Sequence, residues 1–134
     1  MASKNMSGLK IVFMLHFIIA GAVGLQHLLI PRAWTDVIGI EITETGTWRL
    51  IGAALLAFAV SSLLASREIQ WERVRILVIM EIIWSFLAAL VILWGMKVEG
   101  LPPLEWVNVV LLTVFGGMFS FFYLKMKSIK SGEA

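Results

Sequence analysis

Residues 76–94 read ILVIMEIIWSFLAALVILW, nineteen positions in a row with one charged side chain, Glu81. At 1.5 Å per residue this run makes a helix about 28 Å long, close to the hydrocarbon thickness of a bilayer. The run is therefore read as part of a membrane span covering residues 74–94. Three more segments have the same character, at about 9–30, 48–65 and 106–124. A helix closes its backbone hydrogen bonds within itself, as lipid demands. The whole chain is 60% hydrophobic and 15% charged, against about 45–50% and about 25% in ordinary soluble domains. A globule of 134 residues cannot hide that much apolar surface, so lipid is the solvent for much of it. The expected fold is an all-α integral membrane protein, an up-down four-helix bundle forming a single transmembrane domain over residues 1–134.

The first span has a competing reading as a secretory signal, because lysines precede a hydrophobic run that leads into AGAVG. It is longer than the usual signal core and carries His16, Gln26 and His27, so an uncleaved first helix is expected. Charge orients the bundle. Lys4, Lys10, Arg67, Arg73, Arg75, Lys125, Lys127 and Lys130 gather on the side of the termini. Only Arg32, Arg49 and Lys97 lie on the other. The positive-inside rule then places both termini in the cytoplasm, in the plasma membrane if the source is prokaryotic. Glu68, Glu72 and Glu133 belong to the inner side; Asp36, Glu41, Glu44, Glu99 and Glu105 belong to the outer side.

The longest connection, residues 31–47, opens with PRAWTDVIG. Pro31 suits the first position of a helix and Gly39 suits its stop, which predicts a short helix in the outer interface with Trp34, Val37 and Ile38 on one face. Trp48, Trp71, Trp94 and Trp106 sit at span ends, where indoles anchor at headgroup level. Small residues permit close helix approach in lipid. They form stripes at Ala20, Gly21 and Gly24; at Gly52, Ala53, Ala57 and Ser61; at Ser85, Ala88 and Ala89; and at Gly116, Gly117 and Ser120. Packing within one chain is the favoured use of these stripes, with a homodimer or a membrane partner subunit as the alternative.

An acid inside a span needs a partner or a task. The first and third spans run in the same direction, and His16 and Glu81 each lie about seven residues, or about 10 Å, from the inner end. A charge at that depth costs about 2.5–3.5 kcal/mol on insertion scales. A facing imidazole offsets much of it. His16 and Glu81 are thus a candidate buried protonatable pair, either a structural clasp or a site for proton-linked chemistry. A second candidate is an outer polar cluster of Gln26, His27, Arg49 and Asn108, which antiparallel packing brings to one level. Arg49 either snorkels to headgroups or turns inward, where its fork suits a carboxylate, phosphate or quinone oxygen.

Much chemistry is excluded. There is no cysteine, so disulfides and thiolate metal sites are absent. His16 and His27 are about 16 Å apart along one helix and cannot share a metal or haem. One histidine and one glutamate fall short of a zinc or di-iron ligand set, so no metal is expected. No P-loop, GxGxxG run, EF-hand pattern or serine–histidine–acid order appears, catalytic residues are unknown, and enzyme activity is not the leading expectation. The basic residues sit at span ends, which fits membrane orientation and not nucleic acid.

The segment WRLIGAALLAFAVSSLLAS, preceded by LLIPRAW and DVIG, resembles the layout of the DoxX-like superfamily of small four-helix membrane proteins. The resemblance runs from residue 11 to 124 and rests on Pro31, Gly39, Arg49 and Gly52. It implies a membrane subunit and hints at quinone-linked chemistry, without carrying over any catalytic residue. The leading expectation is an accessory or structural subunit that holds a partner or a hydrophobic cofactor such as a quinone. The alternatives are a proton-coupled small-solute transporter using Glu81 with His16, and a membrane enzyme or redox subunit acting at the outer polar cluster.

Overall fold

The computed structural model describes residues 2–131, and side chains from 6 to 129. Of the charges that orient the chain, the side chains of Lys4 and Lys130, and all of Glu133, lie outside the described residues. Four long helices span the molecule: α1 (Ala2–Leu29), α3 (Gly46–Arg67), α4 (Trp71–Val98) and α5 (Trp106–Ser131). Each is long and apolar enough to cross a membrane, so the chain is a multi-pass, all-α integral membrane protein. Side chains such as Ile11, Leu64, Ile76, Leu90 and Leu124 are exposed around the outside, a surface suited to acyl chains.

The short helix α2 (Pro31–Ile38) has Pro31 in its first turn, and Gly39 ends it with a positive φ of 78°. Gly39 and Ile40 donate their N–H groups to the carbonyls of Asp36 and Thr35, closing the last turn. Its inward face differs from the expected one. Pro31, Thr35 and Ile38, spaced four and three apart, are buried, Trp34 is half-buried, and Val37 points outward at 70% exposure. Thr35 fits inside because its hydroxyl donates to the Arg32 carbonyl.

Within the bundle the sequential pairs pack unequally. α1 lies along α3, α4 lies along α5, and α5 closes against α1, whereas α3 and α4 touch least. Glycines set the tight crossings. A Cβ on Gly52 would stand 2.6 Å from the Leu28 backbone nitrogen and 2.8 Å from the Gly24 carbonyl oxygen. α1 and α3 therefore meet backbone to backbone. Gly116 plays a similar part between α5 and α4, against Ser85 and Phe86. Gly117 has open space where a Cβ would go, so it lies off the contact.

The apolar core sits in the half of the bundle nearest the termini. Leu9 and Phe13 of α1, Ala65 of α3, Val78 of α4, and Phe115 and Phe119 of α5 belong to it. Trp71 joins them, buried and 5.9 Å from the Tyr123 ring, so this indole is a core residue and not the headgroup anchor its position at a span end suggests. Trp94 and Trp106 do stand exposed at the opposite end.

Two carboxylates organise the connections. Glu68 accepts from the Ile69 and Gln70 N–H groups and from Arg73, ahead of α4. Those two backbone donors, with Arg73 adding less, hold its carboxyl below the usual range. Glu44 accepts from the Gly46 and Thr47 N–H groups at the start of α3. Its carboxyl is also held low, chiefly by hydrogen bonding from Thr47.

Candidate functional site: a polar layer across four helices

His16 follows Leu9, Val12 and Phe13 on the buried face of α1 and is itself 7% exposed. Glu81 follows Val74 and Val78 on the buried face of α4 and is 2% exposed. Equal depth brings them together: His16 Nδ1 stands 3.4 Å from Glu81 Oε1. α1 and α4 are diagonal partners in the bundle, so the pair reaches across its axis.

Ser62 of α3 completes the connection. Its hydroxyl donates to Glu81 Oε1 at 3.1 Å and lies 2.8 Å from His16 Nδ1. A serine has one proton to give. With that proton directed at Glu81, Ser62 Oγ accepts from His16 Nδ1–H. The opposite polarity is also self-consistent: a protonated Glu81 donates to Ser62, whose proton then points to Nδ1. The chain Nδ1–Oγ–Oε1 is thus continuous and can be filled in two directions with no ring or backbone movement, the arrangement of a short relay.

α5 supplies the remaining wall. The His16 ring stands edge-on to Phe115 at 5.0 Å and to Phe119 at 5.9 Å between centroids. Every long helix therefore contributes to one level, and the layer closes off the apolar core at the end away from the termini. The order differs from a hydrolytic serine triad, in which the histidine stands between acid and serine. Here the serine stands between histidine and acid, so with its proton directed at Glu81 its oxygen accepts from Nδ1–H and is not activated as a nucleophile. Among the described residues Glu81 Oε2 is buried and has no hydrogen-bond partner.

Ser62 is absent from the small-residue stripe read from the sequence. The buried positions on α3 are Gly52, Ala59, Ser62, Ala65 and Ser66. Of the expected stripe Gly52, Ala53, Ala57 and Ser61, Gly52 is buried, the other three are rotated from this face by roughly one residue, and Ser61 bonds back to the Ala57 carbonyl. The spacing from Gly52 to Ala59 to Ser62 is the helical signal that singles out Ser62.

The four residues expected as an outer cluster are not bonded to one another among the described residues. His27 is buried, but its Nδ1 pairs with the Val23 carbonyl at 2.8 Å, and its ring packs near Trp48 and Trp34. Asn108 donates to Glu105 at 2.8 Å, at the start of α5. Arg49 is exposed beside Thr45, Arg32 and Ile30. Gln26 is half-buried. Among the described residues no hydrogen bond or ion pair joins any two of these four. Each polar group is near enough to the boundary to be served locally, by its own helix or by headgroups.

No group of three or more potential metal-binding side chains occurs among the described residues. No protein-family model matches the chain, and no curated protein or solved structure matches it either.

Proposed function

We propose that the chain is an accessory membrane subunit that holds a hydrophobic molecule, such as a quinone, or a partner subunit, and performs no catalysis of its own. The observation that carries this reading is Glu81: an acid almost fully buried at mid-span, tied to His16 and Ser62 across the bundle, with one oxygen left unpartnered. Burying a carboxylate in lipid costs several kcal/mol even when it is partly paired, roughly 2.5–3.5 by insertion scales. A group kept at that cost with spare bonding capacity suits recognition. The position of Ser62 between histidine and acid, unlike that in a hydrolytic triad, supports a role other than nucleophilic catalysis, and so does the lack of a bond among Gln26, His27, Arg49 and Asn108 in the described residues. The layout resemblance to the DoxX-like superfamily supports the same role. The termini face the cytoplasm in this reading, supported by the eight-to-three split of basic residues.

The test is gentle solubilisation of the full chain followed by mass spectrometry of whatever accompanies it. The wild type is expected to retain a hydrophobic molecule or a partner that Glu81→Leu loses while remaining folded. Identical contents in both would overturn the reading. A second reading, proton-coupled transport, is favoured by the continuity of the relay from His16 through Ser62 to Glu81. It predicts a pH-driven flux in liposomes that Glu81→Gln abolishes while co-purification is unchanged.

A further inference from the structure

The loose seam between α3 and α4 contains a cleft of about 150 Å³. It is lined by Ala57, Phe58, Ser61, Leu77, Met80 and Glu81. A cavity of about this volume in a protein core is large enough for benzene. Phe58 stacks on Trp84 at 5.1 Å, fixing the wall farther from the termini. Exposed Ala57 and half-exposed Met80 place the mouth on the lipid-facing surface. Glu81 is one of the lining residues, so the cleft runs from the lipid-facing surface to the residue that joins the polar layer.

The chemistry of the lining is one-sided. Ser61 has given its proton to the Ala57 carbonyl, so it offers lone pairs only. Ser62 serves one oxygen of Glu81, and the other has no protein partner. No free donor lines the cleft. We infer that the α3–α4 cleft is a binding site, entered sideways from the bilayer, for a small apolar molecule whose head group donates a hydrogen bond, a hydroxyl or an ammonium. This rests on the binding-subunit reading and gives it a route and a ligand class. The ring or alkyl body lies against Phe58 and Leu77, and the head bonds to Glu81. Oε2 has no accessible surface of its own, so binding requires the lining to open, for which the unbranched Met80 side chain at the mouth is the most adaptable element.

The full chain, labelled with ¹³C-methyl methionine in lipid nanodiscs, tests this with three probes of similar size. Phenol and benzylamine donate; anisole cannot. The Met80 methyl signal, assigned with Met80→Leu, is expected to shift saturably with phenol, benzylamine or both, and anisole to bind about tenfold more weakly. A response to benzylamine alone identifies an ammonium head, and a response to phenol shows that a neutral hydroxyl suffices. Ala57→Phe, which blocks the mouth without touching Glu81, is expected to abolish the shift. Glu81→Gln presents an amide N–H and is expected to weaken benzylamine about tenfold while strengthening anisole. Equal, unsaturable responses to all three probes, or an Ala57→Phe protein that responds like the wild type, would overturn the site. If no probe binds but a molecule still accompanies the wild type and not Glu81→Leu, the subunit reading stands and this cleft is wrong. If probes bind and nothing co-purifies, the cleft stands and the subunit reading falls.

Discussion

The two polar regions of this molecule start from similar residues and end differently. Near the middle of the membrane, His16, Ser62 and Glu81 are drawn from three helices into one bonded chain. Toward the end of the bundle away from the termini, His27 bonds to its own helix, Asn108 to nearby Glu105, and Arg49 stands exposed. Depth accounts for the difference. A group in the hydrocarbon has only other protein groups to satisfy it, so long-range partners are selected. A group at the boundary has headgroups and water within reach, so a bond three or four residues away is enough.

The contrast predicts unequal costs, measurable as unfolding free energies in mixed micelles. The largest follows His16→Ala, which removes a buried ring packed on Phe115 and Phe119 together with its hydrogen bond to Ser62; the cavity and the lost bond cost about 3–5 kcal/mol. Gly52→Ala comes next. Its methyl would meet the α1 backbone, which cannot swing away as a side chain can, and forcing α1 and α3 apart should cost about 1–3 kcal/mol. Ser62→Ala removes the bridge but leaves the 3.4 Å contact of His16 with Glu81, for a loss of about 1–3 kcal/mol. Arg49→Gln, the matching change in the outer region, should stay within about 0.5 kcal/mol. A cost for Arg49→Gln as large as that for Ser62→Ala would erase the distinction between the regions.

The smallest effect concerns pH and the surface. Glu68 is held below its ordinary value by the Ile69 and Gln70 N–H groups. A lowered folded-state value contributes stability above the unfolded value, and that stability is lost as pH falls through the folded one. Amide exchange at Ile69 and Gln70 should therefore accelerate as pH is lowered from about 4.5, after correction for the intrinsic rate, and Glu68→Gln should remove that step.

What the sequence makes legible follows from the same physics. Span positions are set by hydrophobic length, so all four helices could be read directly. The depth of His16 and Glu81 follows from counting 1.5 Å steps along two co-directional helices. Helix rotation is harder. Ser61 and Ser62 differ by about 100° around α3, and the inward one is decided by the backbone contact of Gly52 with Gly24 and Leu28. That contact depends on two helices at once. The looseness between α3 and α4 is hidden for a related reason: the short connection 68–70 makes them neighbours, but connection length does not govern how tightly they pack. In the outer region the sequence shows four polar residues at one level, and only the structure shows that local bonds satisfy His27 and Asn108 first.

Solid-state NMR on the chain in lipid bilayers, with ¹⁵N-labelled histidine and ¹³C-labelled glutamate, tests the mid-membrane layer most directly. With His16 Nδ1 3.4 Å from Glu81 Oε1, dipolar transfer between this imidazole and the Glu81 carboxyl carbon should be strong, and Ser62→Ala should alter the His16 nitrogen shifts. A Glu81 carboxyl that exchanges magnetisation with lipid acyl chains and not with His16 would contradict it.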